Sequence, residues 1–181
     1  MRLKRRLMTA KQQLIAAQNL CRQAQRASTI MSARRVLAYQ AFAGEISPHL
    51  MLAAINIQDY HLPKITNYRR CLMGFYSQRS MDSHNRYGIL EPSKIGVPAN
   101  ANSFDLVLVP LVAFDRKGVR IGMGSGYYDR ALASLTHQQS TRPRLIGLAH
   151  HFQEISDLNP QPWDIPLDAI LTDQEFIKIE I

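Results

Sequence analysis

The strongest constraint on the fold is the aliphatic run DLVLVPLVAF at residues 105–114. A continuous apolar run without polar alternation is typical of a central parallel strand that is covered on both faces. Strand-like and helix-like segments alternate along the rest of the chain, which is the pattern of α/β proteins. We therefore expect a three-layer α/β sandwich in which the central sheet is mostly parallel.

Further elements are predicted on either side of this run. We expect strands in RRVLAYQAF, CLMGFY, RLIGLAHH and DAILTD, at residues 34–42, 71–76, 144–151 and 168–173. We expect helices at residues 10–31, 47–60 and 127–137. Ser47 as N-cap and Pro48 at the first helical position mark the start of the second helix. The polar segment that follows residue 76 is expected to be loop up to residue 104.

The first predicted helix is amphipathic. Its apolar residues recur at spacings of three and four, which places them on one helix face: Leu14, Ala17, Cys21, Ala24 and Met31. The chain shows no repeat and no linker. Residues 1–181 are therefore expected to form one domain, with residues 1–31 as its basic N-terminal segment.

Composition excludes several classes of protein. The chain has 181 residues, of which 46% are hydrophobic and 20% charged, as in globular proteins. No apolar run approaches the roughly 18 to 20 residues of a membrane span. The basic start MRLKRRLMTAKQQ lacks the apolar stretch of a secretion signal. Cys21 and Cys71 are too few and too scattered for a disulfide framework or a zinc site. We expect a cytoplasmic protein with no membrane partner.

The net charge of +8 is concentrated at the N-terminus. Nine basic residues precede the first acidic residue, Glu45, and removing nine from the 22 basic residues leaves 13 against 14 acidic ones. A basic arm attracts polyanions such as nucleic acid, acidic lipid or the phosphates of a nucleotide. A solvated helix face explains the charge equally well. Because RNA-reading aromatic motifs are missing, we expect no nucleic-acid partner.

The segment GVRIGMGSGYYDRAL, residues 118–132, places glycines at alternate positions between the central strand and the third predicted helix. Ligands of open α/β sheets lie beyond the carboxyl ends of the strands. Glycines there let backbone N–H groups approach an anion, and a helix start adds favourable charge. Arg120 and Arg130 contribute positive charge, and Asp129 offers a carboxylate for Mg²⁺. The pattern is neither a Walker loop nor GxGxxG, and a glycine-rich turn is the alternative.

The longer stretch FDLVLVPLVAFDRKGVRIGMGSGYYDRALA resembles the 5-formyltetrahydrofolate cyclo-ligase family. Other pieces follow in the family's order, over roughly residues 34–173: LAYQAFAGEI, HLPKI, GILEP, RLIGLAHHFQ and WDIPLDAILTD. The resemblance implies that ATP and Mg²⁺ are used to close 5-formyltetrahydrofolate into 5,10-methenyltetrahydrofolate, with release of ADP and phosphate. It implies phosphorylation of the formyl oxygen, followed by attack of N10 on the activated carbon.

The resemblance also implies roles for individual residues. The glycine loop would wrap the ATP phosphates with Arg120 beside it: Ile121, Gly122, Met123, Gly124, Ser125, Gly126 and Tyr127. Asp129 and Asp164 would bind magnesium, with Trp163 standing where the family has a histidine. Tyr128 and Glu45 would be catalytic, Tyr128 facing both substrates and Glu45 lining the folate pocket. Gln40 would also line that pocket.

Each of these residues has a simpler interpretation when taken alone. Glu45 and Asp164 could be solvated charges, Asp129 could stabilise a first helical turn, and tyrosines often only pack. His150 and His151 are interpreted as strand-end residues rather than metal ligands. A binding protein on the same fold that does not cyclise folate is the alternative function, resembling thiamine-associated paralogues. We expect a monomer.

The family's N-terminal Lys-x-x-x-Arg pattern, whose cations contact ATP, is expected further upstream than Met1. Two hypotheses stay open. Either the native start lies upstream and this chain is short, or Arg2 and Arg6 have taken over the role. These two arginines share a spacing of four and therefore one helix face.

Overall fold

The computed structural model describes residues 1–79, 81–93, 96–135 and 142–180. Its helices are α1 (Arg2–Arg6), α2 (Ala10–Ala24), α3 (Ser28–Met31), α4 (His49–Ala54) and α5 (Tyr127–Ala131). Its strands are β1 (Val36–Leu37), β2 (His61–Asn67), β3 (Leu72–Ser77), β4 (Met81–His84), β5 (Leu90–Pro92), β6 (Leu106–Pro110), β7 (Ala113–Phe114), β8 (Arg120–Ile121), β9 (Arg144–Ala149), β10 (Ala169–Thr172) and β11 (Phe176–Lys178).

A seven-stranded sheet forms the centre, in the order β11-β10-β9-β6-β1-β2-β3. The inner pairs are parallel, and antiparallel strands lie only at the two edges. Strand β6 pairs with β9 from Leu106↔Arg144 to Pro110↔Leu148. The predicted mostly parallel α/β sheet is confirmed, and the aliphatic run supplies its central strand.

Apolar residues cover the sheet on both faces. On one face, α2, α3 and α4 contribute Leu20, Ile30 and Met51 to a core that includes Leu108 of β6. On the other face, Val107 and Val109 pack with Phe104, Phe114 and Leu132. Successive residues of β6 thus serve opposite layers, as alternation along a strand requires. A single domain over residues 1–181 stays a prediction, which this continuous sheet supports.

Several predicted boundaries were wrong at the N-terminal half. The first helix begins with a Thr9–Gln12 capping box and ends at Ala24, with a separate short helix following. Its buried face is Ala16, Ala17, Leu20 and Ala24, whereas Leu14 and Met31 are 52% and 46% exposed. Ala17 and Ala24 of the predicted stripe are thus buried, but Leu20 rather than Leu14 is the large apolar residue on that face.

The second helix and the first strand are shorter than predicted. Helix α4 has Pro48 rather than Ser47 at its N-cap and ends before Asn56, whose φ of +59° is left-handed. Strand β1 covers only Val36–Leu37 of the predicted residues 34–42, since the chain leaves the sheet after Leu37 to build the site described below.

The sequence did not predict strand β2, the β4–β5 hairpin or the short strands β8 and β11. Strand β2 carries polar residues and Pro63, which disguise it in the sequence, yet it pairs parallel with β1 and antiparallel with β3. The region predicted as loop holds the β4–β5 hairpin, whose first strand is largely exposed. Strand β3 confirms the prediction at residues 71–76 to within one residue. Likewise, β9 and β10 fall inside their predicted ranges.

The third predicted helix is one short turn, Tyr127–Ala131, with a further turn to Leu135. Residues 136 and 137 of that prediction lie outside the described residues. No helix in the described part of the chain is long and apolar enough to cross a bilayer. The sheet order places β1 and β6 side by side, with their next parallel neighbours, β2 and β9, on opposite sides. Such a switch point leaves a crevice beyond the carboxyl ends of the strands.

Candidate active site

A cleft of about 490 Å³ opens at this switch point. It lies between the segment after β1, the segment after β6, the glycine loop and the β4–β5 hairpin. The predicted site residues in its lining are Gln40, Glu45, Arg120, Gly122, Met123, Ser125, Gly126, Tyr127, Tyr128 and Asp129. Ile121 and Gly124 of the predicted loop are not in this lining. The structure brings the rest of the predicted phosphate loop and the predicted folate residues into one cavity.

The glycine loop has a backbone that only glycine adopts easily. Gly124 has φ +92° and Gly126 has φ +63°, both in the left-handed region. A Cβ built on Gly122 or Gly124 would meet nothing within 4 Å, so open space lies next to the loop. The glycines are thus not needed for internal packing. Their absence of side chains keeps the loop's surface accessible to a ligand.

Arg120 and Asp129 form a short ion pair beside the loop. Arg120 Nη2 lies 2.6 Å from Asp129 Oδ1, and the two side chains are 5% and 16% exposed. Arg120 Nε is buried and has no hydrogen-bond partner among the described residues. A buried guanidinium with an unused donor retains the capacity to bind an additional oxygen anion.

The two tyrosines of the loop both have buried hydroxyls. The Tyr128 hydroxyl has no partner in the described part of the protein, whereas that of Tyr127 interacts with the Tyr87 side chain. Burial and the nearby Glu45 carboxylate raise the pKa of Tyr128. Burial and Tyr87 raise the pKa of Tyr127 to about 12. Both phenols are therefore neutral near pH 7 and available to donate a hydrogen bond. Tyr128 lines the same cleft as Glu45.

Glu45 is held inside the cleft wall rather than in solvent. Its Oε2 accepts a hydrogen bond from Phe42 N at 3.1 Å, and its Oε1 lies 4.0 Å from Arg5 Nη1. Burial raises its pKa to about 7, against the opposing effects of that hydrogen bond and of Arg5. The solvated strand-end interpretation is thus wrong. A carboxyl group of this kind accepts N–H donors when ionised and gives up a proton near neutral pH.

The Gln40 side chain is oriented by a hydrogen-bonded series of side chains. His49 Nε2 lies 3.2 Å from Gln40 Oε1, and Tyr60 OH lies 3.1 Å from His49 Nδ1. Burial lowers the pKa of His49, which favours the neutral imidazole. Because Oε1 is engaged by His49, the Gln40 amide nitrogen is left to donate toward the cleft.

The N-terminal helix contributes two more cations. Arg2 and Arg6, predicted from their spacing of four, both line the cleft. Arg5, between them in the sequence, points into the protein instead and is buried. The structure thus places Arg2 and Arg6 on the face that the helical spacing predicted.

Asp164 is not among the described residues that line the cleft. Its Oδ2 accepts a hydrogen bond from Gln161 N at 2.8 Å, and the neighbouring Trp163 is 69% exposed. The predicted role of Asp164 in binding magnesium therefore stays a prediction, and of the two predicted aspartates only Asp129 is among the described residues that line the cleft.

Sequence reasoning missed the wall opposite the glycine loop. The β2–β3 pair and the hairpin add Pro63, Ile65, Met73, Asn85, Tyr87, Ile89 and Glu91 to the lining. Glu91 is buried and accepts hydrogen bonds from Ile65 N at 3.0 Å and Asn85 Nδ2 at 2.8 Å. The buried pair Glu91–Pro92 was the available signal, but the surrounding polar sequence suggested loop.

One group of possible metal ligands lies elsewhere. His151, Glu154 and Glu175 offer ligand atoms within 4.8 Å of one another. Arg116 already donates to both carboxylates, at 2.8 Å to Glu154 and 2.5 Å to Glu175. Because an arginine supplies the positive charge there, we assign no ion to this group. His150 is buried with Nε2 3.1 Å from Gly44 O.

Relatives with known names share this chain's sequence over most of its length. The profile of the 5-formyltetrahydrofolate cyclo-ligase family matches residues 1–173. The 5-formyltetrahydrofolate cyclo-ligase of Haemophilus influenzae is 34% identical over 170 residues, covering 91% of this chain and 89% of that protein. The protein of the same name from Escherichia coli K12 is 32% identical over 177 residues, covering 94% and 95%.

Solved structures share the fold. The NMR structure of Aquifex aeolicus 5,10-methenyltetrahydrofolate synthetase matches with a TM-score of 0.81 at 24% identity, over 99% of this chain and 89% of that one. A 5,10-methenyltetrahydrofolate synthetase from Mycoplasma pneumoniae matches with a TM-score of 0.69 at 24% identity, over 96% and 94%. The profile match, the two relatives and the cleft agree: the protein belongs to the 5-formyltetrahydrofolate cyclo-ligase family.

Proposed function

We propose that this protein is an ATP-dependent ligase that closes 5-formyltetrahydrofolate to 5,10-methenyltetrahydrofolate in the cleft at the switch point. One observation carries the proposal for the site: the glycine loop and Glu45 open onto the same cavity. A phosphate-binding wall and a wall able to accept N–H donors are thus close enough to serve one reaction.

The chemistry explains the need for ATP. The formyl oxygen on N5 is amide-like and a poor leaving group. Transfer of the γ-phosphoryl group to that oxygen breaks the bond to ADP and converts the oxygen into part of a phosphate. N10, held close by the same molecule, then attacks the formyl carbon, and its N–H proton is released. The C–O bond breaks with inorganic phosphate leaving, and the methenyl bridge results.

The nucleotide side of the cleft is built for charge neutralisation. The open glycine loop admits phosphate oxygens to backbone N–H groups from Gly122 to Tyr127. Arg120 contributes its unused Nε donor. Arg2 and Arg6 add further positive charge from α1. Preorganised donors of this kind stabilise charge that shifts between oxygens during phosphoryl transfer.

Magnesium fits one part of this wall. Mg²⁺ prefers oxygen ligands and is commonly held by one or two carboxylates together with substrate phosphates. The Asp129 carboxylate lines the cleft and has one oxygen paired with Arg120. Asp129 would therefore hold the ion, with Asp164 as a second ligand only if its segment approaches. When bound, the ion would neutralise phosphate charge.

The folate side is formed by Glu45, Gln40 and Tyr128. Ionised Glu45 accepts hydrogen bonds from the N–H groups of a pterin ring, and the Gln40 amide nitrogen donates to a pterin oxygen or nitrogen. The buried Tyr128 hydroxyl, which lacks a partner among the described residues, is available to the formyl group. Because the Tyr128 hydroxyl is neutral at pH 7, it can orient the formyl group and does not compete with the formyl oxygen for the γ-phosphoryl group.

Turnover of 5-formyltetrahydrofolate tests the function. We expect the near-ultraviolet absorbance of the methenyl product to rise only when ATP and Mg²⁺ are both present. A protein that binds ATP and folate without forming this product would be the binding-protein alternative. The cyclo-ligase relatives described above favour the enzyme.

We also propose the remaining properties expected from the sequence. The protein acts as a monomer on small molecules, without nucleic acid or membrane as partner. Its two cysteines, Cys21 and Cys71, are free, which suits a reducing cytoplasm. Size-exclusion chromatography with light scattering would test the oligomeric state, and a dimer would contradict it.

A further inference from the structure

Arg5 is a buried cation that the proposed chemistry does not use. Its side chain is 1% exposed, and among the described residues it donates one hydrogen bond, from Nη1 to the Leu111 carbonyl at 2.8 Å. Its Nε and Nη2 are buried and have no partner in the described part of the chain. Burying a guanidinium with unmet donors is costly. A residue retained at this cost in stability calls for a role other than stability.

Arg5 contacts the two segments that leave the parallel strands at the cleft. Leu111 directly follows β6, whereas Gly44 and Glu45 lie on the segment after β1. Arg5 Nη1 lies 4.0 Å from Glu45 Oε1. Gly44 has φ +79°, and a Cβ there would lie 2.5 Å from the Arg5 carbonyl oxygen. The backbone of Arg5 thus packs directly on Gly44 while its guanidinium reaches Glu45 and Leu111.

Other parts of the chain also hold the segment that carries Glu45, through hydrogen bonds to Gly44. Gln13 Nε2 donates to the Gly44 carbonyl at 3.2 Å, and His150 Nε2 lies 3.1 Å from the same oxygen. These bonds fix the backbone at Gly44 but carry no permanent charge to Glu45. Arg5 is the residue of this set that combines a backbone contact with a full positive charge near the carboxylate.

We propose that Arg5 is a positioning residue that fixes both the place and the charge of Glu45 for folate binding. The proposal rests on the proposed function, in which Glu45 accepts N–H donors of the pterin. Arg5 touches neither substrate in this account: it does not line the cleft at the switch point but lines an adjoining cavity together with Glu45. It acts by holding Glu45 against the end of β6 and by favouring the ionised carboxylate.

Other charged and titratable groups face Glu45, and none of them duplicates this effect. Tyr39 and Tyr128 are neutral near pH 7, because burial raises the pKa of each, and Glu45 itself contributes to both increases. Arg2 and Arg6 line the open cleft, where solvent screens their charge, and Arg120 is paired with Asp129. Burial raises the pKa of Glu45 to about 7, and Arg5 opposes this increase. Removing Arg5 therefore moves that pKa upward.

The experiment compares Arg5→Met, Arg5→Lys and a matched control, Lys4→Met. Lys4 is the neighbouring cation of α1, with Nζ 4.4 Å from the centre of the Phe152 ring, and lies outside the cleft lining. For each variant, kcat/KM for 5-formyltetrahydrofolate is measured from pH 5.5 to 9, together with KM for ATP. Calorimetry of 5-formyltetrahydrofolate binding over the same range supplies a readout that is independent of turnover. Circular dichroism and melting establish folding.

For Arg5→Met we expect folate affinity at pH 7 to fall about tenfold or more, the scale of a lost charged interaction. We expect the acidic inflection to move up by about one pH unit or more. KM for ATP should change less than about twofold, since ATP contacts other groups. Arg5→Lys should restore the inflection, because the charge returns. In a Glu45→Gln background, Arg5→Met should cost little more.

The proposal is overturned if folded Arg5→Met keeps the wild-type inflection. It is equally overturned if KM for ATP rises as much as KM for folate, or if Lys4→Met shows the same changes. Should Arg5→Met not fold, Arg5→Lys decides the matter. The Arg5→Lys variant should keep the wild-type pH inflection but bind folate more weakly, because the hydrogen bond to Leu111 is altered. Unchanged affinity for folate would contradict the proposal. A wild-type protein that forms no methenyl product refutes the proposed function instead.

Discussion

Arg120 and Asp129 lie 2.6 Å apart at the base of the glycine loop, joining β8 to the first turn of α5. The pair fixes both ends of the loop that carries Gly122, Gly124 and Gly126. It also leaves one oxygen of Asp129 and one nitrogen of Arg120 without partners in the described structure. The loop is therefore held in place by charges that retain capacity for a metal and a phosphate.

Gly124→Val should reduce activity by orders of magnitude through loss of ATP binding. The residue has φ +92°, and its Cβ would enter the open space assigned to the phosphates. Gly96→Val is the matched control, because Gly96 has φ +81° and equally open surroundings but lies outside the glycine loop. Calorimetry of ATP binding and the melting temperature, measured for both variants, should distinguish a loss of ATP binding from a loss of stability. Equal ATP binding in both variants would contradict the phosphate-loop assignment.

Asp129→Asn should lose most of the Mg²⁺-dependent activity. The substitution removes the charge that holds the ion against phosphates and also leaves Arg120 without its carboxylate partner. Without that partner the Arg120 side chain would be less firmly oriented, so the affinity for ATP should fall as well. Titration of activity against Mg²⁺ checks this, with Asp164→Asn measured in parallel. A larger effect at Asp164 would identify that residue as the principal ligand.

Glu45→Gln should weaken folate binding while leaving ATP binding nearly unchanged. Glutamine keeps an acceptor for Phe42 N but loses the charge that accepts pterin N–H groups. In the wild type, kcat/KM for folate should fall as the pH drops through about 7, where Glu45 becomes protonated. Calorimetry with ATP and with folate separately tests whether Glu45 serves folate binding alone. Loss of ATP binding without loss of folate binding would reverse the assignment.

The same residue makes stability depend on pH. The pKa of Glu45 rises from 4.5 to about 7 on folding, so the folded state binds its proton more tightly. Its favourable contribution is full below pH 4.5 and is lost as the pH rises to about 7. The unfolding free energy of the wild type should therefore fall relative to Glu45→Gln by at most about 3 kcal/mol across this window. Denaturant unfolding at several pH values measures it, and parallel curves would contradict the shift.

Arg2→Ala and Arg6→Ala should each raise KM for ATP by about tenfold to a hundredfold, the scale of one charge-assisted bond to phosphate. Both arginines line the cleft from one face of α1. Lys11→Ala, an exposed cation of α2 outside the lining, should leave KM unchanged. Unchanged KM for ATP in both arginine variants would contradict the assignment of these cations to the ATP phosphates.

The parts of this protein that were predictable are those with a local chemical signal. The aliphatic run specified β6, since nothing polar interrupts it, and the glycines of the loop coincide with left-handed backbone at Gly124 and Gly126. Local signals failed where tertiary contacts decide. Strand β2 contains Pro63 and Lys64 and is recognisable only by its partners, β1 and β3.

The candidate site likewise contains residues that the sequence predicted and a residue whose position depends on tertiary contacts. Glu45, Gln40 and Tyr128 were placed in one pocket by resemblance, and the cleft unites them. The spacing of four placed Arg2 and Arg6 on one helix face, but nothing in the basic run indicated that Arg5 would be buried. The difference arises from docking of α1 against Gly44 and Leu111. Such docking depends on residues far away in the chain.

The most direct test of the central claim follows the oxygen atom of the formyl group. The protein is given 5-formyltetrahydrofolate labelled with ¹⁸O in the formyl group, together with unlabelled ATP and Mg²⁺, and the inorganic phosphate is examined by mass spectrometry. We predict one labelled oxygen in each phosphate and one phosphate for each methenyl group formed, since the phosphorylated oxygen departs with the phosphoryl group. Methenyl product accompanied by unlabelled phosphate would contradict the mechanism, and hydrolysis of ATP without methenyl product would contradict the function.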